Sequence, residues 1–266
     1  MRAAILTLLS FSLPIVSFAQ SKENASYSLT IGAGFTNASI HSSSNDIAFA
    51  KQQVSFKTYA DSIQNKITWR ANFSAHLWYN MPVSNKLTLQ LGLGYTDLGF
   101  RREQNDIKLA DETYPGIGEG KLLEFSNNKK DIYYDYRFHY IQVPVWLNYN
   151  VFQSKDFKTN VQLTGGLSVN ILAKHHLTAK LQNFSVDEEE KFQIDSTGYD
   201  ARTLSLNLNA GMRIVHKLDK KTTLVFQPMF GYQPISSTNE PLSVNAYQFM
   251  LHAGIILDLN MFKNDK

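Results

Sequence analysis

Basic side chains concentrate at the ends of three segments of the chain. They are Arg101, Arg102, Arg137, His139, Lys174, His175 and His176. Guanidinium and ammonium groups bind phosphates through charge-assisted hydrogen bonds. If the three segments are neighbours in the fold, these seven residues form one basic rim that suits phosphate groups. The competing interpretation is that they are ordinary solvated extensions of strands.

A second set of ionisable residues falls within segments that alternate with apolar side chains. The set is His76, Arg213, Asp258, Arg70 and His252. A buried charge without a partner is costly, so we expect Asp258 to neutralise Arg213, with His76 nearby. Arg70 and His252 are expected to form a second layer. We interpret this polar cluster as a plug that fixes strand register, and a proton-coupled role is the alternative.

Signatures of catalysis are weak. The chain has no cysteine, which excludes disulfides, thiol catalysis and cysteine-based zinc sites. It also lacks a phosphate loop, a dinucleotide fingerprint, an HExxH zinc motif and a Gly-x-Ser-x-Gly elbow. His139 and His175 could act with Ser168 or Glu124, so a hydrolase or acyltransferase stays open as an alternative. The acidic run at 187–190 is expected to be solvated. The sequence therefore predicts no catalytic residue, no cofactor and no metal.

Composition narrows the class of protein. The chain has 266 residues, of which 43% are hydrophobic and 18% are charged, so it is neither disordered nor a bundle of membrane helices. Its formal net charge of +3 is too small for a dedicated nucleic-acid binder.

The first residues have the features of an export signal. Arg2 precedes an apolar stretch at residues 3–18, and Ser17-Phe18-Ala19 fits a small-x-small cleavage site. The stretch is shorter than the ~20 residues needed to span a membrane, and Pro14 interrupts it. We therefore predict a cleaved signal at residues 1–20 and one domain at residues 21–266.

Period-two alternation of apolar and polar residues recurs eight times, which indicates strands with two different faces. The segments are 27–40, 67–81, 87–96, 136–151, 160–171, 203–214, 222–236 and 247–260. Pro144 and Pro228 fall inside two of these segments and weaken those assignments. The connections near 82–85, 153–156 and 218–221 are short, whereas those near 41–66, 101–135 and 173–200 are long. Alternating short and long connections are typical of an up-and-down barrel in an outer membrane.

The composition of the polar faces indicates that the apolar faces of the strands meet lipid. These faces are rich in Asn, Gln, Ser, Thr and Gly and poor in Lys and Glu, which suits a packed lumen better than a solvated surface. Aromatic residues fall near the strand ends, as expected for interfacial girdles. They are Tyr79, Tyr149 and Phe262 towards the short turns, and Trp69, Tyr95, Phe230 and Tyr247 towards the long loops. A soluble exported carrier, with the opposite polarity, stays open as an alternative.

Several segments carry a family resemblance. Gly32-Ala33-Gly34, Leu208-Asn209-Ala210-Gly211 and Tyr140-Ile141-Gln142-Val143-Pro144 follow patterns of the outer-membrane β-barrel domain family, and the end of the signal segment does so too. The chain resembles that family, including its PorT-like members, over nearly all of residues 21–266. The resemblance implies a barrel in the outer membrane of a diderm bacterium, and it carries no biochemical activity with it.

Together these patterns predict an all-β fold, an eight-stranded antiparallel up-and-down transmembrane β-barrel with long extracellular loops. Eight strands enclose a lumen that side chains fill, so we do not expect a pore. We expect a non-enzymatic outer-membrane protein with a structural, adhesion or envelope-assembly role through its outside loops. Its expected partners are outer-membrane lipid, with lipopolysaccharide phosphates at the basic rim, and other envelope proteins, but no nucleic acid. The alternatives are a lipid A hydrolase or acyltransferase, and the soluble periplasmic carrier.

Overall fold

A computed structural model describes residues 25–49, 54–107, 130–183, 189–194, 200–219, 222–239 and 241–258. The predicted signal segment and Phe262 lie outside these residues. The elements are β1 Ser26–His41, β2 Ile47–Phe49, β3 Val54–Ser55, α1 Phe56–Gln64, β4 Ile67–Thr68, β5 Arg70–Ser84, β6 Leu87–Ile107, β7 Lys130–Gln153, β8 Thr159–Asn183, β9 Glu189–Ile194, β10 Leu204–Lys217, β11 Thr222–Tyr232 and β12 Ser243–Asp258.

Eight of these strands close into a ring. Going round it, the order is β1, β5, β6, β7, β8, β10, β11 and β12, and β12 pairs again with β1. Every pairing in the ring is antiparallel. The predicted eight-stranded barrel is confirmed.

The connections differ in length at the two ends of the barrel, as predicted. Only a few residues separate β5 from β6, β7 from β8 and β10 from β11, all at one end of the barrel. The links at the other end are longer, but the predicted boundaries of two of them were wrong. Strands β6, β7 and β8 continue far into stretches that the sequence analysis assigned to loops, and β9 adds a further strand beside β8.

Both prolines that weakened strand assignments lie inside strands. Pro144 of β7 is opposite Ser168, and Pro228 of β11 is opposite Leu251. Neighbouring residues of the same strands remain paired, so the missing N–H of each proline does not interrupt the ladder.

The lower half of the barrel is apolar outside and polar inside. On β7 the outward side chains from Ile141 to Tyr149 are exposed and apolar, whereas Gln142 and Asn148 face inward and are buried. On β1 the outward apolar side chains extend from Tyr27 to Phe35, about 27 Å along the strand. Once the strand tilt is included, this length matches the apolar band of an outer-membrane barrel. We call these outward apolar side chains the lipid-facing belt.

Above the belt the polarity reverses, and the inward side chains become apolar. Ala38 and Ile40 of β1, Leu98 and Phe100 of β6, and four aromatic side chains of β7 pack into one buried core. Helix α1 contributes Tyr59, Ala60 and Ile63 to this core and so closes the outer mouth of the barrel. The Ser55 side chain caps the helix by accepting a hydrogen bond from the Thr58 N–H. The predicted long connection at residues 41–66 therefore contains a helix, which corrects the prediction of a loop there.

Within the described part of the chain, no helix has the length and apolar character needed to cross a membrane.

Candidate functional site

Two histidines form the centre of the lumen. The rings of His76 and His252 lie 5.5 Å apart, measured between centroids. His76 Nε2 is 2.7 Å from Gln142 Oε1, and His252 Nε2 is 2.9 Å from Ser74 Oγ. A Cβ on Gly94 would overlap the His76 ring, and one on Gly32 would overlap the His252 ring. Glycine at these two positions therefore makes room for the imidazoles.

Below the histidines, an amide network ties neighbouring strands together. Gln90 Nε2 donates to Asn80 Oδ1 at 2.6 Å, and Asn148 Nδ2 donates to Gln90 Oε1 at 2.8 Å. Thr164 Oγ1 continues the chain by donating to Asn148 Oδ1 at 2.6 Å. The buried Arg213 guanidinium donates to Gln162 Oε1 and, at 3.4 Å, to Asn80 Oδ1. Arg213 Nε has no hydrogen-bond partner among the described residues. The paired amides hold a single strand register.

Large side chains fill the rest of the lumen. Trp78, Trp146, Met229 and Met250 form a buried apolar cluster, and the two indole rings lie 4.3 Å apart between centroids. Beside them is a cavity of about 10 Å³, which is room for one water molecule. Bulky side chains thus occupy the described part of the lumen at this level.

The predicted polar cluster divides into separate groups. The structure brings His76 and His252 together, but it places Arg213 among amides and Arg70 near the outer end of the barrel. The side chain of Asp258 lies outside the described residues, so its pairing with Arg213 stays a prediction. The expected second layer of Arg70 and His252 is wrong, because Arg70 contacts two aspartates instead.

The basic rim is divided between the two faces of the sheet. Arg137, His139, Lys174 and His176 lie on the outer face of β7 and β8, where Arg137 is opposite His176 and His139 is opposite Lys174. Arg102 faces inward: it is buried, donates to the Tyr59 hydroxyl at 2.8 Å and lies over the Tyr134 ring. His175 is opposite Phe138, which packs inward. Successive side chains of a strand point to opposite faces of the sheet. The prediction that all seven residues share one rim is therefore wrong. Arg101, the remaining member, is half-buried on β6 and opposite Asp135.

Two aspartates that the sequence analysis did not select organise this outer face. Asp135 accepts hydrogen bonds from Arg137 Nε at 3.1 Å and Nη2 at 2.7 Å, and its other oxygen lies 2.8 Å from Arg70 Nε. Arg70 Nη2 also donates to Asp97 Oδ2 at 2.5 Å. Arg70 lies where the pairing of β6 passes from β5 to β4, between Thr96 and Arg101.

Two imidazoles extend this group towards β8. His139 Nδ1 lies 2.5 Å from the Tyr95 hydroxyl, and His139 Nε2 lies 3.2 Å from His176 Nδ1. Both histidines lie just beyond the lipid-facing belt. Burial lowers the pKa of His139, and Arg70, Arg137 and Lys174 lower it further, against the opposing effect of Asp97. Burial also lowers the pKa of His176, as do the charges of His139, Arg137 and Lys174.

We call Arg70, Tyr95, Asp97, Asp135, Arg137, His139, Lys174 and His176 the outer-face cluster. Its cations are among the residues predicted from the sequence, whereas the two aspartates, and Tyr95 as a hydrogen-bond partner, are not. The alternation along the strands does indicate their face. Asp97 lies two residues after the lipid-facing Tyr95, and Asp135 lies six residues before the lipid-facing Ile141, so both are expected on the outer face.

One pairing of the hydrolase alternative, Ser168 with His139, is divided between the two faces of the barrel. Ser168 is buried on the lumen side, within hydrogen-bond distance of Trp146 and Asn209 side chains, whereas His139 is on the outer face. Glu124 and residues 187–188 lie outside the described residues, as do the side chains of Glu189 and Glu190. In the described part of the chain, no three His, Asp or Glu side chains are placed to hold a metal ion.

Comparison with known proteins identifies the family. The sequence profile described as "Outer membrane protein beta-barrel domain" matches residues 18–264. Among curated proteins, none matches the chain.

Solved barrels are similar to the chain in fold. Neisserial surface protein A is 13% identical, with 89% of this chain and 100% of that chain covered and a TM-score of 0.36. Ail, the attachment invasion locus protein of Yersinia pestis, is 12% identical, with 86% and 98% covered and a TM-score of 0.33. The outer membrane protease OmpT from Escherichia coli is 8% identical, with 90% and 98% covered and a TM-score of 0.40.

Proposed function

The chain belongs to the outer membrane protein β-barrel domain family and lies in the bacterial outer membrane; from this premise we propose that it is a non-enzymatic binding protein. In this proposal the barrel anchors a sheet that projects outside the membrane and docks a partner in adhesion or envelope assembly. The observation that carries it is the continuation of β6, β7 and β8 far above the lipid-facing belt, over a closed lumen.

Closure of the lumen argues against transport. Trp78, Trp146 and their neighbours fill the barrel within the belt. Above them, α1 and the aromatic side chains of β7 fill the mouth a second time. A solute would have to displace two packed layers to cross the barrel. A filled interior therefore favours a role in binding outside the membrane over a role in conduction.

The projecting sheet supplies a surface for a partner. Beyond the last lipid-facing residues, Tyr95, Ile141 and Ile171, each of β6, β7 and β8 runs on for eleven or twelve residues. That length corresponds to about 35–40 Å along a strand. In the described residues β9 pairs with β8 on one side only, and an unpaired strand edge can accept a strand from another chain.

Within the family, we assign the chain to the PorT-like members. The support is the segment Tyr140–Pro144, whose alternation places Tyr140 and Gln142 inside and Ile141 and Val143 outside.

The proposal is tested by removing the projection and keeping the barrel. Replacing residues 104–133 and residues 180–199 each by a short turn removes the upper part of the β6–β7 hairpin together with the end of β8 and all of β9. A matched control replaces the short turn at residues 154–158 at the opposite end. We expect the shortened protein to remain heat-modifiable on gels, and to lose both chemical cross-links to envelope proteins and any contribution to cell attachment. Unchanged cross-links and attachment would show that the projection has no docking role.

A further inference from the structure

The outer-face cluster lies at the height of lipid headgroups. Its lower row, Asp97, His139 and Lys174, runs across β6, β7 and β8, directly above the row of Tyr95, Ile141 and Ile171. Those three side chains belong to the lipid-facing belt and are exposed. A group held by the cluster therefore sits where the headgroup of an outer-leaflet lipid meets its acyl chains.

After its internal pairing the cluster has one ammonium group left over, that of Lys174, and one guanidinium group, that of Arg137, which is only partly covered. Arg70 and Arg137 neutralise Asp97 and Asp135. Lys174 is exposed, and the described residues contain no carboxylate within ion-pair distance of it. The Arg137 side chain is 39% exposed although Asp135 holds it on one edge, so its other edge faces outward. An outward-facing, pre-oriented guanidinium beside an ammonium is a phosphate-binding arrangement.

The hydrogen-bond chain through the imidazoles supplies a further donor. When the Tyr95 hydroxyl donates to His139 Nδ1, the hydrogen of neutral His139 is on Nε2 and is donated to His176 Nδ1. The hydrogen of neutral His176 is then on Nε2, which has no hydrogen-bond partner among the described residues. His176 is opposite Arg137 on the neighbouring strand, so this N–H is on the same face as the guanidinium.

From this geometry we propose that the outer-face cluster binds the phosphate group of an outer-leaflet lipid. Lys174 and Arg137 supply the positive charge, His176 Nε2–H supplies a directed hydrogen bond, and the acyl chains lie along Tyr95, Ile141 and Ile171. Asp135 acts as a positioning residue, because it holds Arg137 in place without facing the ligand. The site does not depend on the partner-docking role of the projecting sheet.

The test uses the full-length mature barrel in phosphatidylcholine nanodiscs. The probe is lipid A carrying both phosphates, and the matched probe is the same lipid A with its phosphates removed. Lys174→Gln and His176→Gln are compared with Lys155→Gln, which removes an exposed lysine from the turn at the other end of the barrel. We expect each cluster substitution to weaken retention of phosphorylated lipid A by roughly three- to tenfold, and Lys155→Gln to have no effect.

Two further results decide the source of the phosphate. A lipid site should prefer phosphorylated lipid A, and inorganic phosphate or sulfate should compete only weakly. Full competition by inorganic phosphate, without a preference for the lipid, would assign the cluster to a free anion and overturn the lipid proposal. Equal retention of the two lipid A forms, or equal effects of Lys174→Gln and Lys155→Gln, would overturn the site itself. Heat-modifiability of each variant checks that it is folded.

Discussion

At the scale of single residues, Asp135 connects the parts of the outer-face cluster. Its side chain is 1% exposed and lies between the guanidinium groups of Arg70 and Arg137. A buried carboxylate with two cationic neighbours is stabilising only while all partners are present. The cluster therefore couples the alignment of β5, β6 and β7 to the position of the outward-facing Arg137.

Replacing Asp135 by Asn should lower the free energy of unfolding by about 3 kcal/mol, because two guanidinium groups lose their shared counter-charge. The measurement is a urea titration of the barrel refolded in lipid vesicles. Asp61→Asn is the control, since Asp61 is exposed on α1. Equal midpoints for the two variants would mean that Asp135 does not hold the cluster together.

The two imidazoles of the cluster give a pH dependence whose sign follows from their surroundings. In the folded state the pKa of His139 and that of His176 both lie below the ordinary value of 6.5. As the pH falls through 6.5, the unfolded chain takes up protons before the folded chain does, so the folded state loses stability. This loss should end once the pH falls below the folded pKa values.

We therefore expect the urea midpoint of the wild type to fall between about pH 7 and about pH 5 by more than that of His139→Gln/His176→Gln. His76 and His252 are present in both proteins, so the comparison isolates the outer pair. Parallel pH profiles would contradict the prediction.

At the scale of elements, α1 works as a plug in the outer mouth. It is a nine-residue helix, too short to be stable alone. Tyr59, Ala60 and Ile63 are buried against side chains of β1, β6 and β7, and the Gln64 side chain accepts a hydrogen bond from the Ile40 N–H at 2.7 Å. Packing inside the barrel therefore decides that this segment is helical.

Ile63→Ala should destabilise the plug by about 2–4 kcal/mol, because it removes a fully buried side chain and leaves a cavity. We expect faster cleavage by trypsin after Lys57 and Lys66 while the lower barrel stays heat-modifiable. Asp61→Ala changes an exposed position of the same helix and should leave the cleavage rate unchanged. Equal cleavage rates for the two variants would mean that the plug does not depend on this packing.

At the scale of the whole molecule, the single barrel has two zones of opposite polarity. Within the belt the apolar side chains point outward to lipid, and above it they point inward around α1. Both arrangements bury or shield apolar surface from water, so each is favoured in its own surroundings. The level at which the polarity reverses marks the outer membrane boundary, and the outer-face cluster lies there.

A barrel filled at two levels should not conduct. We expect the refolded protein to give no steady current in a planar bilayer, because both the Trp78–Trp146 layer and the α1 layer close the path. A variant that lacks residues 47–66 and carries Trp78→Ala and Trp146→Ala loses the helix and both indole rings and should conduct more than the wild type. Step-like conductance of the wild type would show that the interior opens and would favour transport.

The sequence by itself determined the barrel and its membrane location. Alternation such as that from Ile67 to Met81 reports on one strand at a time, and lipid and lumen demand different side chains at every second residue. Short connections also fix the order of neighbouring strands. These are local signals, so eight antiparallel strands could be predicted without knowledge of any contact.

Only the tertiary structure decided the extent of the outer sheet and the membership of the outer-face cluster. Above the belt, Tyr134, Tyr136 and Phe138 point inward and pack around α1. The sequence pattern alone does not show that apolar side chains belong inside at this level, because it does not show that α1 fills the mouth.

Arg102 and His175 belong to the predicted rim only if the ends of the strands form one surface. Asp97 and Asp135 were missed because their value comes from Arg70, which is far away in sequence and meets them at the change of pairing between β4 and β5. Contacts between distant segments depend on strand register and on bulges, which a periodic pattern does not encode.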